Sequence, residues 1–395
     1  MNRAYRVVWN NSKGLWQVAS EMATGRGKTR RRCSALPRNS GPCCFALTVL
    51  AASLGLMGLA SSAELPTGGS VVAGSGSISQ SGTTLTVTQA SPQMAAHWQS
   101  FNIGQGHTVN FVQPSATAAA LNRVMGADAS VIQGALKANG QIFLVNPNGI
   151  LFTPTAQVNV GGIVASTLNI STADFMAGNY KFQGASSNAI VNQGNITAVG
   201  NGGQGGTIAM IAAKIINEGN LAAHAGNVLL GTGSKVTLDL GGPVKIQVEE
   251  GALNALIEQG GVIKADGGLV YLTAKAAGDL AGTVINHTGV TEAQTLATGS
   301  KGQIVLLGGL DADRIAVGGT LDAGAPHGGD GGFIETSAAK VAIADHVRIS
   351  TAAPQGATGQ WLIDPVDFTI AASGGDITGA SLSGLLNSNH VTIQT

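Results

Sequence analysis

One short unit returns along the second half of this chain, and it limits the possible folds more than any other feature. It reads Ile190-Val191-Asn192-Gln193-Gly194-Asn195-Ile196-Thr197-Ala198 and again Ile215-Ile216-Asn217-Glu218-Gly219-Asn220-Leu221-Ala222-Ala223. Looser copies start at Leu256, Val284 and Ile315. A second strand type lies between the copies: Thr207-Ile208-Ala209-Met210, Asn227-Val228-Leu229-Leu230, Leu269-Val270-Tyr271-Leu272, Gln303-Ile304-Val305-Leu306 and Phe333-Ile334-Glu335-Thr336. The interval is roughly 20–30 residues, the range of solenoid repeats. Each unit has too few inward aliphatic residues to bury a core alone, so neighbouring units must stack and share one. A parallel β-solenoid follows, with Asn side chains able to stack in ladders along its axis and Gly supplying turns. At roughly 20–25 residues per coil, the chain beyond residue 63 would form on the order of 13–16 coils.

Composition agrees with a thin aliphatic core. The 395 residues include 58 glycines, with 4% aromatic and 11% charged residues. The formal net charge of zero conceals two unlike parts. Residues 1–63 carry nine Lys/Arg against the single acid Glu21, leaving 12 bases against 20 acids in the remainder, a charge of about −8. Nucleic-acid binding needs clustered cations, so this acidic body is not expected to bind nucleic acid. All three cysteines, Cys33, Cys43 and Cys44, also lie before residue 64.

That leading part reads as an address. An apolar stretch from Phe45 to Ala60 follows the basic region and ends at Ser61-Ser62-Ala63, small residues suited to signal-peptidase cleavage after Ala63. The stretch is short for a membrane span and none follows it, so an integral membrane protein is not expected. The segments Met1-Asn2-Arg3-Ala4-Tyr5-Arg6-Val7-Val8-Trp9-Asn10 and Leu15-Trp16-Gln17-Val18-Ala19-Ser20-Glu21 resemble the extended signal peptide of type V secretion.

A second resemblance rests on several ordered motifs: Phe101-Asn102-Ile103-Gly104, Val109-Asn110-Phe111-Val112-Gln113-Pro114, Leu121-Asn122-Arg123-Val124, Ile132-Gln133-Gly134, the run Ala138 to Phe152, and Val160 to Thr167. Together they resemble the two-partner secretion domain of the filamentous haemagglutinin family, over about residues 64–310. The resemblance implies an all-β fold, a right-handed parallel β-helix with a capped N-terminal end, and a cap over about residues 65–112. It also implies export through a partner outer-membrane β-barrel transporter with periplasmic domains. The family's secretion motif stands intact as Asn146, Pro147, Asn148, Gly149 and Ile150. These residues form a tight turn, with Pro147 presetting φ and Asn148 or Gly149 in left-handed angles. The turn joins two coils, and the transporter recognises it or the unfolded segment that carries it; the two readings are compatible. Absence of cysteine suits a chain that crosses a narrow pore unfolded, since a disulfide would fix a loop.

Chemistry-bearing candidates are sparse. The seven histidines (97, 107, 224, 287, 327, 346, 390) lack ligand spacing and are expected on the surface or in turns, so no metal or other cofactor is proposed. Gly200 to Gly205 matches a dinucleotide pattern by letter but precedes a strand, and reads as a turn. Gly328-Gly329-Asp330-Gly331-Gly332 lacks the spacing of calcium-binding repeats. Asn169-Ile170-Ser171 and Asn195-Ile196-Thr197 fit the glycosylation sequon, a pattern common by chance in Asn-rich sequence. Asp364 and Asp367 are read as turn residues beside a packed Trp361.

The chain thus divides into a removed signal (1–63), a secretion domain (64–310) and a continuing stem (311–395) that stops in a strand without a capping coil, as a truncated sequence would. The expected protein is a secreted haemagglutinin-like adhesin, not an enzyme, meeting a host-cell or surface receptor. A haem- or iron-acquisition exoprotein, a cytolysin or a contact-dependent toxin carrier would use the same export domain. A polysaccharide-active enzyme on a β-helix would need acids grouped with Arg or Lys along a groove, a grouping not evident here.

Overall fold

The computed structural model describes residues 64–200, 205–240, 245–278, 282–297 and 299–395, together with the strand backbone of 5–10 and 15–20. It divides into two units, Met1–Gly58 and Leu59–Thr395. In the first, Tyr5–Asn10 pairs antiparallel with Leu15–Ser20. Ala63, the apolar stretch before it and the three cysteines lie outside the described residues. No helix among the described residues is long and apolar enough to cross a membrane.

The second unit is a parallel β-helix of three sheets, here called A, B and C, with 12, 8 and 11 strands respectively. A typical coil runs through Lys214–Asn217 in sheet B, Asn220–Ala222 in sheet C and Asn227–Thr232 in sheet A. Coils stack in register, so side chains line up in inward rows. Sheet A carries Ile142, Ile163, Ile208, Val228, Val270, Ile304, Ile334 and Trp361 in consecutive pairing. Sheet B carries Ile150, Ile190, Ile215, Ile257, Ile285, Ile315 and Val341. These residues are buried in one continuous core. Each stabilises the stack by roughly 1.5–3 kcal/mol. Sheet A has fewer strands than the 13–16 coils expected, because parts of the chain leave the coil and form other structure.

The repeat's Asn and Gly have separate causes. Buried Asn192 donates from Nδ2 to Asn217 Oδ1 (2.8 Å), and Asn217 donates in turn to Gln259 Oε1 (2.8 Å). The pairing register places His287 next in this row, between the Gln259 coil and Val317. The glycine two residues beyond each ladder position answers to close approach. A Cβ on Gly219 would lie 2.3 Å from Gly194 O, on Gly261 2.2 Å from Gly219 O, and on Gly289 2.2 Å from Gly261 O. The expected positive φ occurs in this set only at Gly319 (φ 64). The carbonyl of the preceding coil, not turn geometry, excludes a side chain there.

Both ends of the column carry special structure. At the N-terminal end, Ser70–Ala73 lies antiparallel on Gln93–Trp98 of sheet A, and Gly76–Ser81 lies antiparallel on Thr84–Gln89 of sheet C. These strands occupy edges that would otherwise invite a further strand. Trp98 is buried beneath them, its Nε1 donating to Asn122 Oδ1 (3.0 Å) and its ring meeting Phe101 edge to face at 5.5 Å. At the other end the stem is regular as far as Gln360–Pro365. There Trp361 is buried as expected and donates to Thr336 Oγ1 (3.2 Å). Asp364 and Pro365 are not in a turn but close this strand, beside Ser337 and Ala338. The chain then forms a helix, Gly379–Leu385, whose Leu385 enters the core with Ile377. Asn389 ties the helix end to the last strand of sheet C through Ile349 O (2.8 Å). His390–Ile393 then rejoins sheet A.

Candidate functional site

The first coils hold the sequence motifs, and their polar residues turn out to be staples. Gln113 donates to Gln89 Oε1 (3.0 Å) and Ala118 O (3.0 Å), and receives Gly140 N–H at Oε1 (2.9 Å). Asn139 closes this network by exchanging hydrogen bonds with the Gln113 backbone, both at 2.8 Å. Asn122 receives the Trp98 indole. Arg123 reaches outward to Asn169 Oδ1 (3.1 Å), Thr172 Oγ1 (3.0 Å), Ile170 O and the His97 ring (3.0 Å). Burial, and after it the Arg123 charge, hold His97 below its ordinary pKa.

Arg123 anchors a segment that sequence reading missed. A short helix, Thr172–Met176, and the strand Tyr180–Gln183 leave the coil after Gly162–Ser166. Lys235–Leu238 and Ile246–Glu250 leave it later, and the three strands form an antiparallel sheet. This sheet and the helix cover the outer face of sheet A. Alternate residues of the covered strands enter a second core: Leu121, Phe143, Val164, Ala209 and Leu229, packed with Phe175, Phe182, Val236 and Ile246. Phe143 sits 5.1 Å from Phe175 and 4.8 Å from Tyr180, ring centre to ring centre. The signal was present in the sequence: Ile142-Phe143-Leu144-Val145 and Ile208-Ala209-Met210-Ile211 do not alternate, as strands buried on both faces do not.

The motif Asn146 to Ile150 lies at the turn from sheet A to sheet B, beside this double-layered region. Buried Asn146 donates from Nδ2 to Asp128 O and Ser130 Oγ, each at 3.0 Å. Its Oδ1 receives Asn148 N–H at 3.0 Å, and Gly149 N–H returns to Asn146 O at 3.1 Å. Asn148 Nδ2 donates to Gly126 O (2.8 Å). From the following coil, Ser186 Oγ (2.6 Å) and Asn188 Nδ2 (2.8 Å) donate to Pro147 O. Gly149 takes the positive φ, 111°, and Asn148 does not. Only Pro147 is exposed; Gly149 and Ile150 are buried.

The remaining candidates are dispersed. His287 is in no turn or surface: it is fully buried, donating from Nδ1 to Gly318 O (2.8 Å) and accepting at Nε2 from Thr291 Oγ1 (2.9 Å). Burial pushes its pKa down to about 4, against the opposing effect of the Gly318 hydrogen bond. Asp330 binds Lys301 (3.1 Å) and Ala357 N–H (2.9 Å). No group of three metal-ligating side chains occurs among the described residues. Within Gly200 to Gly205, residues 201–204 lie outside them.

A parallel β-helix closed by antiparallel strands, with an outer β-layer over its first coils and a basic-apolar leader ahead of it, defines a class: the export domain of a two-partner secretion exoprotein. The profile of the TPS secretion domain matches residues 60–322, and that of the Extended Signal Peptide of Type V secretion system matches residues 1–50. The chain belongs to the TPS secretion domain family. It is 36% identical over 221 residues to the Heme/hemopexin-binding protein of Haemophilus influenzae strain Rd, covering 55% of this chain and 24% of that protein. A second Heme/hemopexin-binding protein of H. influenzae is 43% identical over 98 residues, 25% of this chain and 11% of that protein. The chain thus spans about a quarter or less of these relatives. The crystal structure of the HMW1 secretion domain from H. influenzae superposes with a TM-score of 0.65 at 26% identity, covering 84% of this chain and 82% of that one. The protein is exported through the periplasm to the cell surface or beyond, and its export partner is an outer-membrane transporter.

Proposed function

We propose that Asn146 to Ile150 forms part of the address that the transporter's periplasmic domains read, and that they read it before the coils close. One observation carries this reading: in the folded coil the polar side chains of Asn146 and Asn148 bind Asp128, Ser130 and Gly126, leaving Pro147 as the exposed residue. A receptor for the folded turn would meet that ring and part of Asn148, with both asparagine amides already hydrogen-bonded within the protein. An extended segment offers both amides. The test replaces Asn146 and Asn148 together by alanine and measures protein in the medium in cells carrying the partner transporter. Asn217→Ala, which breaks the buried ladder away from the motif, is the control. The motif reading expects secretion to fall with the double variant and to persist with Asn217→Ala. Undiminished secretion of the double variant, or equal loss in both, removes it.

For the exported protein as a whole, the adhesin and haem-acquisition readings share this domain. The named Heme/hemopexin-binding relatives favour the second, with a haem-carrying host protein as the partner in place of a cell-surface receptor. Capture of the secreted protein on immobilised haem or hemopexin, run beside an adherence assay on host cells, separates them. Adherence without capture returns the reading to an adhesin.

A further inference from the structure

The motif turn is held from two sides, by parts of the chain that lie at very different distances along it. Towards the preceding coil, Asn146 and Asn148 bind Asp128, Ser130 and Gly126, residues 16 to 22 positions earlier. Towards the following coil, Ser186 Oγ and Asn188 Nδ2, 39 and 41 positions later, both donate to Pro147 O (2.6 and 2.8 Å). Ser186 Oγ also accepts the Asn188 N–H (3.2 Å), which sets the two donors against each other. Ala189 O, from the same segment, lies 3.3 Å from where a Cβ on Gly149 would stand.

The segment that brings these donors is suited to lift. Gly184 to Asn188 is irregular and contains no buried residue, and it runs between Phe182, buried in the second core, and Ile190, buried in the main one. A cavity of about 230 Å³ adjoins it, lined also by Ala213, Gly233, Ala252 and Ala277. Few buried apolar contacts make for low local stability. Its first partner is Asn169, which exchanges hydrogen bonds with Gln183 (2.8 and 3.1 Å). The others come much later in the chain: Gln183 stands opposite Lys235, Gly184 N–H donates to Ser234 O (3.0 Å), and Ser234 N–H donates to Glu250 O (2.9 Å). The segment is therefore fully anchored only when residues as far along as Glu250 have folded.

Resting on the reading of Asn146 to Ile150 as part of the transporter's address, we propose that Ser186 to Asn188 is the strap that closes this address, and that the outer layer sets when it closes. With the strap up, the turn hangs on the preceding coil alone and opens readily. With it down, the Pro147 carbonyl is held as well, and both sides must release together before the turn can extend. The outer layer thus has a task besides covering sheet A: it keeps the motif readable while the chain up to Glu250 is still unfolded, and retires it afterwards.

The test dilutes the exported chain from urea and adds the purified transporter, in detergent, after increasing delays; the captured fraction against delay gives the time for which the address can be read. Amide exchange at Asn148 and Gly149, whose N–H groups bond within the turn, is followed in the folded chain. Ser186→Ala with Asn188→Ala should lengthen the capture window and speed exchange at both amides, each by roughly fivefold or more, with Leu229 unchanged. Val236→Ala, which loosens the outer layer, should lengthen the window too. An unchanged window and unchanged exchange in the double strap variant overturn the strap, and equal acceleration at Leu229 does the same by making the effect a general loosening. A window that Val236→Ala leaves unchanged overturns the outer layer's part. Capture of Asn146→Ala with Asn148→Ala as readily as the unaltered chain removes the address and the strap with it. Loss of capture there, beside a strap variant that behaves as the unaltered chain, removes the strap alone.

Discussion

The strands of sheet A between Ala119 and Thr232 and those between Leu269 and Pro365 have the same pairing, the same register and the same inward aliphatic rows. They differ on the other face. The earlier strands bury Phe143, Val164 and Leu229 under a helix and three antiparallel strands, whereas the later ones leave the equivalent face largely to solvent. The covered coils therefore hold two cores back to back, and the bare coils hold one. In a solenoid, stability is close to a sum of local terms, so this asymmetry makes the N-terminal half the more stable segment. It is also the half that leaves the transporter first if export runs from the N-terminus.

Removing one outward side chain from each half is the sharpest way to break that comparison. Phe143→Ala should destabilise the covered coils by about 3–5 kcal/mol, measured by urea unfolding, because it empties space between Phe175 and Tyr180. Leu307→Ala, outward and half-buried in the bare coils, should cost under about 1 kcal/mol. Equal effects would mean the outer layer adds nothing.

Acid should act on the other half. His287 has a folded pKa of about 4 and an unfolded one near 6.5, so between these values the unfolded chain binds more protons. Its contribution is fully present above pH 6.5, declines as pH falls and is gone below pH 4, a loss of about 3 kcal/mol at most. Hydrogen exchange at pH 5 should accelerate in the coils around 283–318 before it does around 141–166, and His287→Gln should flatten the difference. Uniform acceleration along the column would refute a local origin.

A smaller effect than at Phe143 or His287 is expected at the motif. Gly149→Ala places a side chain at φ 111°, with its Cβ 3.3 Å from Ala189 O, and should cost about 1–2 kcal/mol by thermal unfolding. A neutral result would show that the turn relaxes freely, weakening its role as a joint between coils.

What could be read beforehand divides elsewhere, near Ile190. The coils beyond it were legible because a unit is imposed afresh by each stacked coil: the carbonyl of the coil below demands the glycine, and at Asn192, Asn217 and Gln259 the ladder demands the amide. The first coils were legible mainly through ordered motifs, since Gln113, Asn122, Arg123 and Asn139 each serve one staple and do not repeat. Tyr180–Gln183 and Ile246–Glu250 escaped because a strand in an added layer has the same local pattern as one in a coil, and only the partner distinguishes them. His287 was misplaced on the surface because its row is visible only in register, as the residue stacked beyond Asn192, Asn217 and Gln259.

The buried indoles at the two ends of the column have a practical consequence. Of the chain's four tryptophans, Trp9 and Trp16 lie within residues 1–63, so a chain beginning at residue 64 has Trp98 and Trp361 as its indole fluorophores. Replacing either by phenylalanine leaves a chain that emits from one end alone. Stopped-flow traces of the two single-tryptophan proteins would then give the polarity of folding as a difference in lag time, without an attached dye.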